Sequence, residues 1–397
     1  MRNPARPFET RLRALRMALA FAIALVAALV AAPSQARTFT VLHSFGEPPD
    51  GASPAEGSLV QDNAGNLYGA TELGGTWSCG TVFKVVPKTG TETVLYSFTC
   101  GADGAYPVST LSLSGSTLYG TTVWGGSSSG ISGNGVVFEV NIRTGTEKVL
   151  HTFTGGADGG QPYTGPILSS GILYGTTALD GSGGGGVVYK LVPKSGSLSV
   201  LHSLDWSDGA SPYSLTVDKT GEVLYGATYY GGSSGEYGVV FSLIIKSTVY
   251  KVLYNFTGGA DGAYPLGDLA LDPSGNLYGT TSKGGASGYG TVFKVAPRTG
   301  AETVLYNFAD GADGGYPFGG VLRSKAGNLY GTTAAGGEYY GTVFELVKGK
   351  ETVLHDFGWS DGAHPWSGVI MDSKGDLFGT TDQGGPWSVG VVWEITP

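Results

Sequence analysis

The chain has 397 residues, a net charge of −9 and a pI near 5.0. Its acidic balance repels polyanions and argues against nucleic acid as a partner. Only 14% of its residues are charged and 69 are glycine, a composition shared by many disordered chains. Here, however, the glycines recur at fixed positions between segments rich in Val, Leu, Phe, Tyr and Thr, which indicates a folded β protein.

The first 36 residues have the features of a secretory signal peptide. Arginines up to Arg16 precede an apolar run over 17–32, and small residues ending at Ala36 follow it. The run is shorter than the roughly 20 residues of a spanning helix, so an uncleaved anchor is the weaker interpretation. We predict a signal peptide over 1–36, no membrane span in the mature chain, and a secreted location, periplasmic or extracellular. Cleavage leaves one domain over 37–397 with 18 basic and 31 acidic residues.

The mature sequence repeats three phrases seven times. VLHSF or VLYNF, LYGTT and GTVFKV recur in that order about every 50 residues. The first phrase begins at Val41, Val94, Val149, Val200, Val252, Val304 and Val353. Repeats of this length are typical of β-propellers.

Each repeat contains four short runs with the character of strands. In the fifth repeat these are 268–272, 277–281, 290–295 and 304–308, separated by turns rich in Pro, Ser, Asn and Gly. The third run is bulky on both faces, which favours sheets stacked radially around an axis. We therefore predict an all-β, seven-bladed β-propeller with four antiparallel strands in each blade.

The two ends of the repeat array predict how the ring closes. Residues 40–45 read as a fourth strand with no blade before it, and 390–397 read as a third strand with no fourth strand after it. The N-terminal strand is therefore expected to complete the last blade and remove an open sheet edge. A seven-repeat solenoid is the alternative, but it would need polar caps at both ends.

The two cysteines, Cys79 and Cys100, flank one predicted hairpin of the first repeat. If Val85 pairs with Val94 across that hairpin, the cysteines face each other. In an exported protein this arrangement predicts a disulfide, with two free thiols as the alternative.

Tandem copies of LYGTT, a GG loop and GTVF resemble the GloVer repeat family of exported bacterial proteins, also described as choice-of-anchor tandem-repeat proteins. The resemblance covers about residues 39–397. It implies export and a propeller-like repeat fold, and it implies no particular activity.

Strand alternation divides the loops between two faces. One face carries short basic hairpins, and the other carries longer, variable loops, where function is usually located. On the second face each repeat has an Asp in a GADG-like turn: Asp50, Asp103, Asp158, Asp208, Asp261, Asp313 and Asp361. We predict that these acids stabilise their turns and that the protein needs no cofactor, with a Ca²⁺ site as the alternative.

Aromatic residues also recur in the variable loops. The candidates for ligand binding are Trp77, Trp124, Tyr229, Tyr230, Tyr237, Tyr289, Tyr339, Tyr340 and Trp387. Aromatic rings among Gly and Ser are suited to stacking on sugars or anchoring a protein partner. Packing between blades is the alternative interpretation.

Catalytic patterns are scarce. Four histidines occupy a position where other repeats have Tyr, which indicates packing, so we predict no catalytic residue and no metal site. The preferred function is a secreted module that binds carbohydrate or another envelope component. The alternatives are a polysaccharide hydrolase or lyase using loop carboxylates, and a purely structural surface protein. The acids that an enzyme would use are Glu72, Asp180, Glu236, Glu338 and Asp382.

Overall fold

The computed structural model describes residues 37–54, 56–127 and 130–397, and all the regular structure within these ranges is β-strand. The predicted signal peptide lies outside the described residues. Seven antiparallel four-stranded blades form a propeller, as predicted. Within the described ranges, no helix has the length and apolar character needed to cross a membrane.

Each blade has a first, second, third and fourth strand, counted outward from the axis. In blades one to seven the first strands are Val60–Gln61, Ser112–Ser114, Ile167–Ser169, Ala210–Val217, Ala270–Leu271, Leu322–Arg323 and Ile370–Met371. The second strands are Leu67–Thr71, Thr117–Thr122, Ile172–Thr177, Val223–Tyr230, Leu277–Lys283, Leu329–Thr333 and Leu377–Thr381. The third strands are Thr81–Val86, Val136–Asn141, Val187–Val192, Val239–Ile244, Thr291–Ala296, Thr342–Val347 and Val391–Thr396. The fourth strands are Thr91–Ser97, Glu147–Thr152, Ser197–Ser203, Val249–Asn255, Ala301–Asn307, Lys350–Asp356 and Thr38–Ser44.

Three short strands lie outside this scheme. Gly51–Ala52 and Leu73–Gly74 pair with each other above the first blade. Ala263–Pro265 pairs with the end of the second strand of the fifth blade.

The last blade is closed by the N-terminal strand. Thr38–Ser44 pairs with Val391–Thr396, the third strand of the seventh blade. Just beyond this pairing, the Phe45 amide donates a hydrogen bond to the Gly390 carbonyl oxygen at 3.1 Å. The predicted closure is therefore confirmed, and the outer edge of the third strand is covered.

A disulfide joins Cys79 to Cys100 as predicted, but the strand register differs from the one that was expected. Val85 pairs with Glu92 rather than with Val94, and a β-bulge follows between Val82 and Phe83. The bulge shifts the pairing toward the open end of the hairpin and brings the cysteines opposite each other. The other five blades whose outer register is described have the same bulge.

The third strand is buried on both faces because each blade stacks on its neighbours. In the fifth blade Thr291, Val292, Phe293 and Val295 are all fully buried. In six blades the aromatic residue equivalent to Phe293 contacts a buried ring that directly follows the fourth strand of the preceding blade. In the fourth blade the equivalent residue, Phe241, shares a core cluster with Leu204. Ring pairs of this kind are Phe45–Phe83, Phe98–Phe138, Phe153–Tyr189, Phe256–Phe293, Phe308–Phe344 and Phe357–Trp393. These contacts make each interface between blades part of the core.

Candidate functional site

Each of the seven repeated aspartates stabilises its own turn and forms a hydrogen bond with one neighbouring side chain. In every repeat the Asp carboxylate is hydrogen-bonded to the His or Tyr that ends the preceding VLH or VLY phrase. The pairs are His43–Asp50 (3.2 Å), Tyr96–Asp103 (2.9 Å), His151–Asp158 (3.1 Å), His202–Asp208 (2.7 Å), Tyr254–Asp261 (2.9 Å), Tyr306–Asp313 (3.1 Å) and His355–Asp361 (3.0 Å). His and Tyr interchange at this position because each can supply a hydrogen-bond donor to the carboxylate.

Most of these aspartates also accept hydrogen bonds from backbone amides. Asp261 accepts the amide of Thr257 at 2.8 Å, and Asp103 accepts the amide of Thr99 at the same distance. The following Gly262 has a φ of +100°, a conformation that glycine adopts readily. The geometry is that of an Asp-stabilised turn, and the seven turns belong to seven different blades.

The predicted aromatic candidates divide into two groups by exposure. Five of them project from the loop face with large exposed areas: Trp77, Trp124, Tyr230, Tyr339 and Trp387. Tyr339 is the most open, at 83% exposed. A protein partner or an extended polymer can reach all five.

Tyr229, Tyr237, Tyr289 and Tyr340 are instead partly buried against other rings. Tyr289 meets Tyr316 edge to face at 5.4 Å, and Tyr229 stacks on Tyr264 at 5.0 Å. For these residues packing between neighbouring loops accounts for much of the ring surface, which is the alternative considered from the sequence.

A cavity on the loop face lies at the propeller axis. It has a volume of about 320 Å³ and is lined by Glu56, Tyr213, Tyr229, Tyr230, Leu266, Phe318 and Trp366. Two of the predicted candidates, Tyr229 and Tyr230, belong to this wall. Its size suits a monosaccharide or a similar small group, and its lining combines aromatic surface with one carboxyl group.

Aromatic contacts continue around the cavity wall. Tyr213 lies 5.1 Å from the Tyr163 ring and 5.8 Å from the Tyr229 ring, and Phe318 lies 5.9 Å from Trp366. Because neighbouring rings support one another, the wall is preorganised for contact with a flat apolar face of a ligand.

The cavity narrows below this wall into a neck of about 40 Å³, which has room for a few water molecules. Glycines make this crowding possible: a Cβ on Gly267 would lie 2.0 Å from the backbone nitrogen of Gly320. Asp268 lines the neck and is exposed within it. Desolvation in these surroundings raises the pKa of Asp268 to about 6.

Glu56 in the cavity wall is influenced electrostatically by two further carboxyl groups, those of Glu72 and Asp382. Burial raises the pKa of Glu56 to about 7, and the charges of Glu72 and Asp382 add to that rise. Burial and Asp382 also raise the pKa of Glu72, and the pKa of Asp382 is raised by burial. The raised pKa of Glu56 lets its carboxyl group act as hydrogen-bond donor as well as acceptor near neutral pH.

Sequence reasoning identified Glu72 and Asp382 as loop acids but missed the residues at the axis. The missed residues are Glu56, Tyr213, Leu266, Phe318 and Trp366. Most of them directly follow the proline of the repeated turn, at a position that differs in almost every repeat. Variation at one position of an otherwise regular repeat was the signal that could have identified them. None of the five predicted loop acids, Glu72, Asp180, Glu236, Glu338 and Asp382, is part of this wall, although the charges of Glu72 and Asp382 act on Glu56.

Solved structures with similar folds are propellers of varied description. An oligogalacturonate lyase in complex with manganese aligns with a TM-score of 0.57 at 13% identity, over 92% of this chain and 94% of the lyase. A putative 6-phosphogluconolactonase from Bacteroides fragilis aligns with a TM-score of 0.53 at 17% identity, over 81% of this chain and 88% of that one. The extracellular domain of a putative one-component system from B. thetaiotaomicron aligns with a TM-score of 0.57 at 12% identity, over 91% of this chain and 40% of that one.

At these identities the likenesses establish the fold and leave the activity open. No curated protein matches the sequence. The profile of the Gloeobacter/Verrucomicrobia repeat matches residues 30–132 and 127–344, which together make up most of the chain. The seven blades are the structural form of that repeat, and the chain belongs to the Gloeobacter/Verrucomicrobia repeat family.

Proposed function

We propose that the protein is an exported binding module that takes a carbohydrate end group or side branch into the axial cavity. The observation that carries this proposal is the cavity wall, where Tyr213, Phe318 and Trp366 surround a space of about 320 Å³ with Glu56 among them. Aromatic faces pack on the C–H faces of sugar rings, and a carboxyl group accepts bonds from hydroxyls or from an amino group.

The negative charge of the site favours glycans that carry no negative charge of their own. The wall has one acid and no Lys or Arg, and two further carboxyl groups act on Glu56. A polyuronate or sulfated glycan would meet an unfavourable potential here. The proposal is therefore for neutral or amino-bearing sugars.

The test is a glycan array followed by titration calorimetry with the purified protein. We expect Trp366→Ala and Tyr213→Ala to weaken binding about tenfold or more, because stacking anchors dominate such interfaces. Trp387→Ala is the matched control, since Trp387 is exposed on the same face but lies outside the cavity wall. Binding that is lost in the Trp387 variant and kept in the Trp366 variant would move the site to the outer loops. A protein that binds no glycan at all would refute the proposal.

A polysaccharide hydrolase is the second candidate, and the carboxyl cluster specifically favours it. Glu56 has a pKa near 7, which is suited to a general acid, and two further carboxyl groups lie in its field. If the protein is an enzyme, Glu56→Gln should abolish release of reducing ends and leave glycan binding measurable. Binding without turnover in the unmodified protein would support the binding module alone.

A further inference from the structure

Four glutamates occupy one equivalent position on the outer strands of different blades. In each of them Oε1 is buried and has no hydrogen-bond partner. They are Glu92, Glu147, Glu302 and Glu351. The negative charge of the turn aspartate that follows the preceding blade also acts on each glutamate. For Glu92 this aspartate is Asp50. A buried acceptor without a partner is costly, so each position calls for a proton or a cation.

One of the four positions has a third ligand-type group. Beside Glu92 this group is the imidazole of His43. The other three glutamates have a tyrosine in its place, namely Tyr96, Tyr254 and Tyr306. One nitrogen of His43 and one oxygen each of Asp50 and Glu92 lie within 4.8 Å of one another. No other set of three His, Cys, Asp or Glu side chains in the described part of the chain meets that criterion.

This donor set has the chemistry of a first-row transition-metal site. One imidazole and two carboxylates bind Zn²⁺ or Mn²⁺, at about 2.0–2.2 Å for Zn²⁺. His43 Nε2 lies 3.2 Å from Asp50 Oδ2, which is close to the separation of two ligands on one such ion. The ion would replace the hydrogen bond between these two atoms, and Nε2 would release its proton on binding. A small inward movement of the Glu92 carboxylate would complete the set.

The surroundings hold two of the three ligands in place. Asp50 accepts the backbone amides of Gly46 at 3.0 Å and Gly51 at 2.7 Å, and the His43 ring packs edge to face on Phe45. Such outer contacts orient metal ligands. The side chains of His43 and Asp50 are 18% and 19% exposed, so an ion and a completing water can enter from solvent.

We propose that His43, Asp50 and Glu92 bind one divalent transition-metal ion that ties the last blade to the first. His43 lies on Thr38–Ser44, the strand that closes the seventh blade, and Glu92 lies on Thr91–Ser97 of the first blade. The ion therefore bridges the seam where the two ends of the propeller meet. This role is structural and is independent of ligand binding at the axis.

The repeat itself supplies matched variants for the test. His43→Tyr makes the seam resemble the three natural Tyr sets, so the fold is retained and Zn²⁺ binding is lost. Tyr96→His adds an imidazole beside Asp103 and Glu147 and should create a second site. Titration calorimetry with Zn²⁺ and metal analysis after gel filtration give the stoichiometry. We expect one ion in the unmodified protein, none in His43→Tyr, and two in Tyr96→His.

Stability provides an independent readout. Zn²⁺ should raise the melting temperature of the unmodified protein, and EDTA should reverse the rise, because an ion bound only to the folded state stabilises it. A natural control exists at His151 and Asp158, where Leu198 takes the place of the glutamate. Zn²⁺ binding that survives both His43→Tyr and Glu92→Gln would overturn the proposal, as would the absence of stoichiometric binding. If Tyr96→His fails to fold, Tyr306→His beside Asp313 and Glu351 makes the same test.

Discussion

At the level of single residues, Asp261 illustrates the work of the repeated turn acids. Its carboxylate accepts the hydroxyl of Tyr254 at 2.9 Å, and both the amide and the hydroxyl of Thr257 at 2.8 and 2.5 Å. We expect Asp261→Ala to lower the free energy of unfolding by about 1–3 kcal/mol, because several donors lose their acceptor. Asp261→Asn keeps one acceptor oxygen and should cost less. Urea unfolding followed by circular dichroism measures the difference, and equal stability of all three proteins would contradict this role for the carboxylate.

Three of the buried glutamates predict a pH dependence of stability. Burial, aided in each case by a turn aspartate, raises the pKa of Glu147, Glu302 and Glu351 to about 7 from the ordinary value of 4.5. The folded state thus keeps protons that the unfolded state releases between about pH 4.5 and pH 7. The stability that these groups contribute is fully present below that range and is lost as the pH rises through 7.

We therefore expect the melting temperature to fall between pH 5 and pH 8, and the triple variant Glu147→Gln, Glu302→Gln, Glu351→Gln to show a smaller fall. His355 acts in the opposite direction, because burial lowers its pKa and its contribution is lost as the pH falls. The informative quantity is thus the difference between the variant and the unmodified protein at each pH. Two parallel curves from scanning fluorimetry would refute the assignment.

At the level of the strand, each blade depends on a close contact between a glycine and an aromatic ring. Gly279 on the second strand pairs with Phe293 on the third, and a Cβ at Gly279 would lie 2.7 Å from the Phe293 ring. All seven blades repeat this arrangement. The pairs are Gly69–Phe83, Gly120–Phe138, Gly175–Tyr189, Gly226–Phe241, Gly279–Phe293, Gly331–Phe344 and Gly379–Trp393. The glycine of LYGTT is therefore a steric requirement of the blade.

We expect Gly279→Ala to destabilise the protein by about 1–3 kcal/mol through overpacking. Adding Phe293→Leu to that variant should recover part of the loss, because the smaller side chain makes room for the methyl group. Gly259→Ala is the control, since the atom nearest to its Cβ would lie at 3.4 Å. Chemical denaturation of the unmodified protein, of the single variants Gly279→Ala and Phe293→Leu, and of the double variant gives the coupling between the two sites. Strictly additive effects would show that the contact does not set the requirement.

The local sequence patterns predicted which segments form strands better than they predicted where each strand begins and ends. In the fifth blade the second and third strands agree with the sequence to within two residues, but the first strand shrinks to Ala270–Leu271 and the fourth begins at Ala301. The bulge between Val292 and Phe293 was not predicted, because an alternating pattern of apolar and polar residues does not indicate where one extra residue is inserted.

At the level of the whole molecule, the ring and its closure followed from counting repeats, whereas the axial cavity did not. Glu56, Tyr213 and Trp366 are far apart in the sequence, and they come together only when seven blades close around one axis. The diameter of that opening and the direction of each side chain depend on global geometry. The local repeat therefore predicts the scaffold, while the binding wall emerges from the assembled ring.

The contacts of the closing strand predict what happens to the protein when this strand is removed. Phe39 stacks on His355 of the sixth blade at 3.5 Å, and Phe45 is fully buried against Phe83 of the first blade, so 37–46 contacts the blades on both sides of the seventh. Deleting 37–46 should sharply lower the melting temperature and promote association, because the Val391–Thr396 edge becomes free to pair.

A synthetic peptide with the sequence of residues 38–46 should restore much of that loss by pairing with the free edge, as an added strand does in other sheets. A scrambled peptide of the same composition is the control, and scanning calorimetry with gel filtration follows both stability and association. Rescue that depends on the order of the residues would show that the strand acts through register and through the contacts of Phe39 and Phe45. A truncated protein that melts at the unmodified temperature would show that the other six interfaces hold the ring without the seam, and the closure would then have no role in stability.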